Sequence, residues 1–515
     1  MLICETNPQQ QTRVTNQALY QGLLQHPERS EQRDQAIDFL HQQLQQARAL
    51  ASDLPKDIEA LQQWSDAHVA KVGKGYQSYL QRRKAGGPRE YFDNRSHALF
   101  YLQAIAPTKL VDGAWLYGLT HHWRDERFYP LIKTYVEELG EGLAHQNHVL
   151  LYQKLLERNG CITNTSDADP LYLQGAIQLA LGHYSAEFLP EILGYNLGYE
   201  QPPLHMLITA YELKELGIDP YYFTIHITTD NASSGHARQA VDAVHRLAPA
   251  VGSKQAFYDR VKAGYQLNFL GPDSAELMAS FDLYQQTVNM LENKRFYGAN
   301  MHSDCCRLEG KTVNEWLQTP GHMDAFLNTL IKTGWVKRGT DPQQSRFWQL
   351  IGAENAKMAG VFSAYEAQLI YDWIADGWGG ATVVPLHSAK VTAANARRQA
   401  ARVTNGAGSS DSSASTTGST SASKTASPAA AQLSGARAKA LSRPAATHSS
   451  GSNALSRHSK QEGDPDYELR QLQRELKALP LDEKMNRLVA LMAPHSHSTE
   501  AGLFATQAFW NQLCR

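Results

Sequence analysis

From Gln32 to about Gly380, apolar side chains recur every three or four residues, and alternation with period two is scarce. That spacing gathers the apolar positions into one stripe of an α-helix, which turns once every 3.6 residues. QAIDFLHQQLQQARAL, IEALQQWSDAHVAKV, FDLYQQTVNML and MDAFLNTLIKTGWV show the pattern in successive stretches. Breakers separate them: GGPRE at 86–90, DADP at 167–170, QPP at 201–203, LGPDS at 270–274 and TPG at 319–321. The pattern predicts an all-α protein.

After Pro385 the periodicity stops. Ala, Gly, Ser and Thr dominate residues 401–460, with almost no large apolar residue, so this stretch buries too little surface to offset its chain entropy. Residues 386–463 therefore read as a disordered linker. Helical periodicity returns in YELRQLQRELKAL and LDEKMNRLVALM, followed by HSHSTEAGLFATQAFWNQL. Residues 464–515 are expected to form two or three short helices that dock on the main body or on a partner. Since 515 residues exceed one average domain, the rest divides into N-terminal helices over 1–84, a helical core over 85–250 and a helical extension or second bundle over 251–385.

Charge narrows the function. Lys and Arg number 49 against 51 Asp and Glu, a balance that argues against a dedicated nucleic-acid binder, which needs a basic excess to meet phosphates. No apolar run reaches the roughly 18 residues of a membrane span, and the start MLICETNPQQQTR carries no signal-peptide pattern, so the cytoplasm is the expected address. Five cysteines, scattered except for Cys305 and Cys306, suit neither a disulfide framework nor a CxxC zinc site. GxxxxGK[ST], strand-linked GxGxxG, HExxH and GxSxG are all absent.

The candidate chemistry lies in carboxylates and histidines set among apolar residues. In YVEELGEGLAHQNHVLLYQKLLE, Glu141 and His148 stand seven residues apart, nearly two turns, which on a continuous helix shares one face. Oxygen and imidazole donors on one face suit Fe or Mn in a bundle core; a solvated glutamate and a surface histidine are the plain alternative. EFLPEILGYNLGYEQPPLHMLITAYEL offers Glu191, Glu200 and Glu212. Glu191 and Glu200, nine residues apart, point to opposite faces of a straight helix, so at most one belongs to a site. Gly194 and Gly198 allow close helix approach or room for a ligand. In YYFTIHITTDNASSGHARQAV, His226 sits in an apolar run with Asp230 one turn on and His236 beyond SSG. A buried imidazole there needs a ligand or a hydrogen-bond partner.

Taken together, ELGEGLAHQNH, FLPEILGYNLGYE and LKELGIDPYYFTIHITTDNASSGHA resemble the iron-containing redox branch of the heme-oxygenase-like diiron oxidases and oxygenases. The resemblance covers roughly residues 85–250 and implies a heme-oxygenase-like helical bundle that binds no heme. By position it carries over Glu141 and His148, then Glu191 or Glu200, then His226, Asp230 and His236 as metal ligands. It further implies a nonheme iron oxidoreductase holding two Fe(II) ions, with O2 as co-substrate, acting on a small molecule by N-oxygenation, desaturation or oxidative C–C cleavage. A homodimer and an electron-donor protein are the partners it leaves room for. One departure is local: His236 lies six residues after Asp230 rather than three, so the SSG stretch must bulge or loop to bring it back. Rival readings are a metal-free relative of the thiaminase or quinone-cofactor-synthase type, and a non-catalytic helical scaffold.

Weaker features complete the list of candidates. Cys305 and Cys306, near His302 and Asp304, read as buried structural thiols; HSHS at 495–498 reads as a solvated loop; the aromatic stripe in FWQLIGAENAKMAGVFSAYEAQLIYDWI reads as core. Arg124, Arg127 and Arg307 are candidate anchors for a substrate carboxylate.

Overall fold

The computed structural model describes residues 14–161, 168–229, 235–352, 356–379 and 465–514. Among them the protein is all-α apart from one antiparallel pair of two-residue strands, Arg307–Leu308 with Lys311–Thr312. The expected linker, 386–463, lies outside the described residues.

The main core follows from the apolar stripes. The helix Leu173–His183 is apolar on nearly every side, and Ala176, Ile177, Leu179, Ala180 and Leu181 are all fully buried. Asn16–Gln25, Ser30–Ala47 and the 3-10 segment Ala114–His122 pack on it, and Tyr129–Glu138, Leu189–Tyr199, His236–Leu247 and Lys254–Gln266 share the same core. Leu189–Tyr199 and Lys254–Gln266 cross backbone to backbone. A side chain on Gly194 would strike the Val261 carbonyl, and one on Gly264 the backbone of Glu191. Close approach is therefore the use of Gly194, and the helix Lys254–Gln266 packs with the core that precedes it.

The described residues from 283 to 378 build a separate core around Trp316, Trp348 and Trp373, contributed by Leu283–Gly298, Val313–Gln318, Met323–Lys332, Arg346–Ile351 and Ala364–Ala375. The aromatic stripe read from the sequence is part of it. A third cluster, from Arg95–Ala104, His148–Arg158, Leu204–Glu215 and Tyr221–Thr229, forms the seam, where the Ser96 amide donates to Asp372 at 2.8 Å.

The C-terminal helices Pro465–Ala478, Leu481–Leu491 and Glu500–Leu513 return to the main core and contribute Leu472, Leu476, Met485, Leu488, Val489, Met492, Ala505 and Phe509 to it. Each fully buried Leu, Val, Met or Phe among them contributes roughly 1.5–3 kcal/mol. Among the described residues no helix is long and apolar enough to cross a membrane.

Candidate metal centre

Glu138 is the last residue of the helix Tyr129–Glu138 and continues its buried stripe one turn beyond Tyr135. The helix stops because the chain turns left-handed, with φ of 64° at Gly140, 51° at Glu141 and 84° at Gly142. Asn147 then caps a new helix, His148–Arg158, its Oδ1 accepting from the Leu150 amide at 3.0 Å. Glu141 and His148 therefore do not share a helix. The structure leaves Glu141 exposed in the turn and brings Glu138 to His148 instead; the seven-residue spacing assumed a helix that ELGEG interrupts.

Glu138 Oε2 and His148 Nδ1 lie 2.5 Å apart, with both residues buried. Their approach lacks hydrogen-bond geometry, and neither atom has another hydrogen-bond partner among the described residues. Burial alone would lower the His148 pKa, but the Glu138 carboxylate outweighs it and the net shift is upward. His226, in Tyr221–Thr229, packs its ring edge-on against His148 at 4.3 Å between centroids, and its Nε2 lies 3.5 Å from Asp112 Oδ2. Burial, and then the neighbouring His148 and Lys109, push the His226 pKa well down. Asp112 accepts from the hydroxyls of Tyr199 at 2.8 Å and Tyr222 at 2.6 Å, and Lys109 donates to Tyr199 at 2.7 Å. Burial and Asp112 hold both phenols well above their usual pKa.

On the other side of Glu138, the Nδ1 of His236 lies 3.1 Å from Glu200 and 3.5 Å from Glu138, while its Nε2 lies 3.0 Å from Glu137. Glu200 caps the end of Leu189–Tyr199. His236 opens a separate helix, His236–Leu247, after Gly235 at φ −85° and ψ −165°, extended backbone that any residue adopts. So the geometry needs no special freedom at Gly235, and the rotation expected along one helix does not apply. Asp230 lies outside the described residues.

Two groups of potential ligand atoms result, each within 4.8 Å of one another: Asp112, Glu138, His148 and His226, then Glu138, Glu200 and His236. All are buried, and Glu138 belongs to both groups. Glu191 is buried elsewhere, in a forked pair with Arg260 at 2.6 and 2.7 Å. Glu212, also apart from the cluster, accepts from the amides of Glu90, Tyr91 and Phe92.

Three carboxylates and three imidazoles fit an iron pair. Hard oxygen with borderline nitrogen donors suits iron or manganese rather than a soft-metal site. Buried charge at this density is costly unless paired or coordinated, and Glu138 Oε2 and His148 Nδ1 are both buried without a hydrogen-bond partner among the described residues. Asp112 was missed by sequence reasoning although KLVDGAWL buries an aspartate in an apolar run, the criterion that singled out His226.

The remaining candidates stand away from the cluster. Arg124 pairs with Asp482, Arg127 with Asp125 at 2.6 Å, and Arg307 Nη1 donates to Gly310 O at 2.8 Å, all exposed. Cys305 is exposed and Cys306 intermediate, so they are not buried thiols. His497, expected in a solvated loop, is buried against Asn147.

A family model for iron-containing redox enzymes matches residues 99–269. Over that segment the chain is similar to the iron-containing redox enzymes. The segment contains every member of both ligand groups, from Asp112 to His236. No curated protein and no solved structure matches the chain.

Proposed function

We propose that the protein is an O2-dependent nonheme diiron oxidase or oxygenase acting on a small molecule, by N-oxygenation, desaturation or oxidative C–C cleavage. The observation that supports it most is the sharing of Glu138 between two buried ligand groups inside the segment matched to iron-containing redox enzymes. Asp112, Glu138, His148 and His226 would hold one ion and Glu138, Glu200 and His236 the other, Glu138 being common to both groups. Bound iron supplies the electrons for reducing O2.

The protein's own part is binding and orientation. Tyr199 and Tyr222 fix both oxygens of Asp112, and Glu137, itself held by Lys133 at 2.6 Å, fixes His236. Such supports orient ligands and set their basicity. Lys109 lies 3.8 Å from Asp112 and offsets part of the carboxylate charge. A cleft of about 350 Å³ is lined by Leu151, Leu155, Tyr221 and Tyr222 among others, and the Tyr222 hydroxyl donates to Asp112. It is the approach we assign to the substrate, with Lys154 and Arg158 at its rim.

Anaerobic titration with Fe(II) tests the reading: two irons should bind per chain, and admitting O2 should change the visible spectrum. Failure to retain iron at saturating Fe(II), in folded protein, would overturn it.

A further inference from the structure

Asn147, fully buried, joins three segments through one side chain. Its Oδ1 accepts from the Leu150 amide at 3.0 Å and so caps the helix that begins with His148. Its Nδ2 donates to the Leu139 carbonyl at 3.3 Å, one residue past Glu138 at the end of the preceding helix, and to His497 Nδ1 at 3.3 Å, in the turn between the last two helices. Because the Asn147 oxygen is committed to Leu150, its nitrogen faces His497, and His497 Nδ1 must be the acceptor.

The surrounding contacts press the same turn. Tyr135, one turn before Leu139, donates to the Met492 carbonyl. Gly142 leaves room for Leu503 and Gln507, and Gly502 lets its helix come down onto Ser496 and His497. We propose that His497 is a positioning residue: through Asn147 it fixes the turn from Leu139 to Asn147, and thereby sets Glu138 against His148. The C-terminal hairpin is then part of the metal centre's framework rather than an appended tail. The effect on ligation rests on the metal-centre reading above; the effect on the turn does not.

His497→Leu keeps the bulk and removes the acceptor, whereas His497→Gln restores one. Asn147→Ser keeps the helix cap but is too short to reach His497 as the amide nitrogen does, so it tests the same bond should His497→Leu fold poorly. Amide hydrogen exchange at residues 147–151 in metal-free protein should speed up in His497→Leu and Asn147→Ser and return toward the parent in His497→Gln. Co(II) binding, measured well below the melting temperature, should weaken by about tenfold in the first two, near the lower end for residues that hold a ligand, with an altered ligand-field spectrum. Parent-like exchange in both variants would overturn the positioning role, as would a parent-like Co(II) spectrum. A parent that binds no metal while exchange still responds as expected would sink the functional reading and keep the clamp.

Discussion

At the scale of single residues, the centre turns on Glu138, because a carboxylate common to two ligand groups cannot be lost from one alone. Glu138→Gln is expected to lower the affinity for both irons, by about tenfold or more each. Glu141→Ala should leave iron stoichiometry at the parent value, since its side chain is exposed and apart from the cluster. Quantifying iron after anaerobic loading checks both, and loss of iron in the Glu141 variant with none in the Glu138 variant would reverse the assignment. The sequence stretch YVEELGEGLAHQNH carries both Glu138 and Glu141, and the structure brings only Glu138 to His148. A single periodicity selected Glu141, while the burial stripe of Tyr129–Glu138 and the left-handed turn after it place Glu138 at the site. His226 was legible for a different reason: a polar side chain in an apolar run declares its own need of a partner. The same argument applied to Asp112 would have found it.

At the scale of elements, the helices themselves were readable because their apolar spacing is local, whereas what joins them is not. Ser233 and Ser234, where a bulge or loop was expected, lie outside the described residues; His236 opens its own helix, His236–Leu247, and no spacing rule reports how that helix packs on its neighbours. Crossings are intermediate: Gly194 could be read as a contact point, but its partner Gly264 lies seventy residues on. Gly264→Val puts branched carbons onto the Glu191 backbone, where neither helix can retreat without opening the core. We expect a loss of several kcal/mol, beyond the 1–3 typical of overpacking, because the obstacle is backbone rather than side chain. Urea unfolding would measure it; a variant within 1 kcal/mol of the parent would mean that the crossing is looser than the structure indicates. Since Glu191 precedes Glu200 on the same helix, the variant should also disturb the end that carries Glu200.

At the scale of the whole molecule, residues 465–514 close onto helices more than three hundred positions earlier, and His497 sits buried in that closure. Burial, the largest cause, and then His495 depress the His497 pKa to about 4 from an ordinary 6.5. The folded protein therefore holds this imidazole neutral where the unfolded chain would protonate it. With the unfolded state binding the extra proton, stability is full above pH 6.5, falls as pH drops towards 4 and levels off below that, a loss of up to roughly 3 kcal/mol. His183, also pushed down to about 4 by burial and His495, adds a loss of the same sign over the same window. These two effects act on one interface, since His183 ends the central helix of the core that receives the C-terminal hairpin. A specific protease site introduced between residues 401 and 460 makes the consequence measurable. At pH 7.5 the cut protein should elute from a sizing column as one species, held by Leu488, Val489 and Phe509 in the main core. Near pH 5 the fragment beginning before Pro465 should separate, and His497→Gln should move that transition to lower pH, because it accepts from Asn147 without titrating. Fragments that separate equally at both pH values would show that protonation of His497 does not govern the closure.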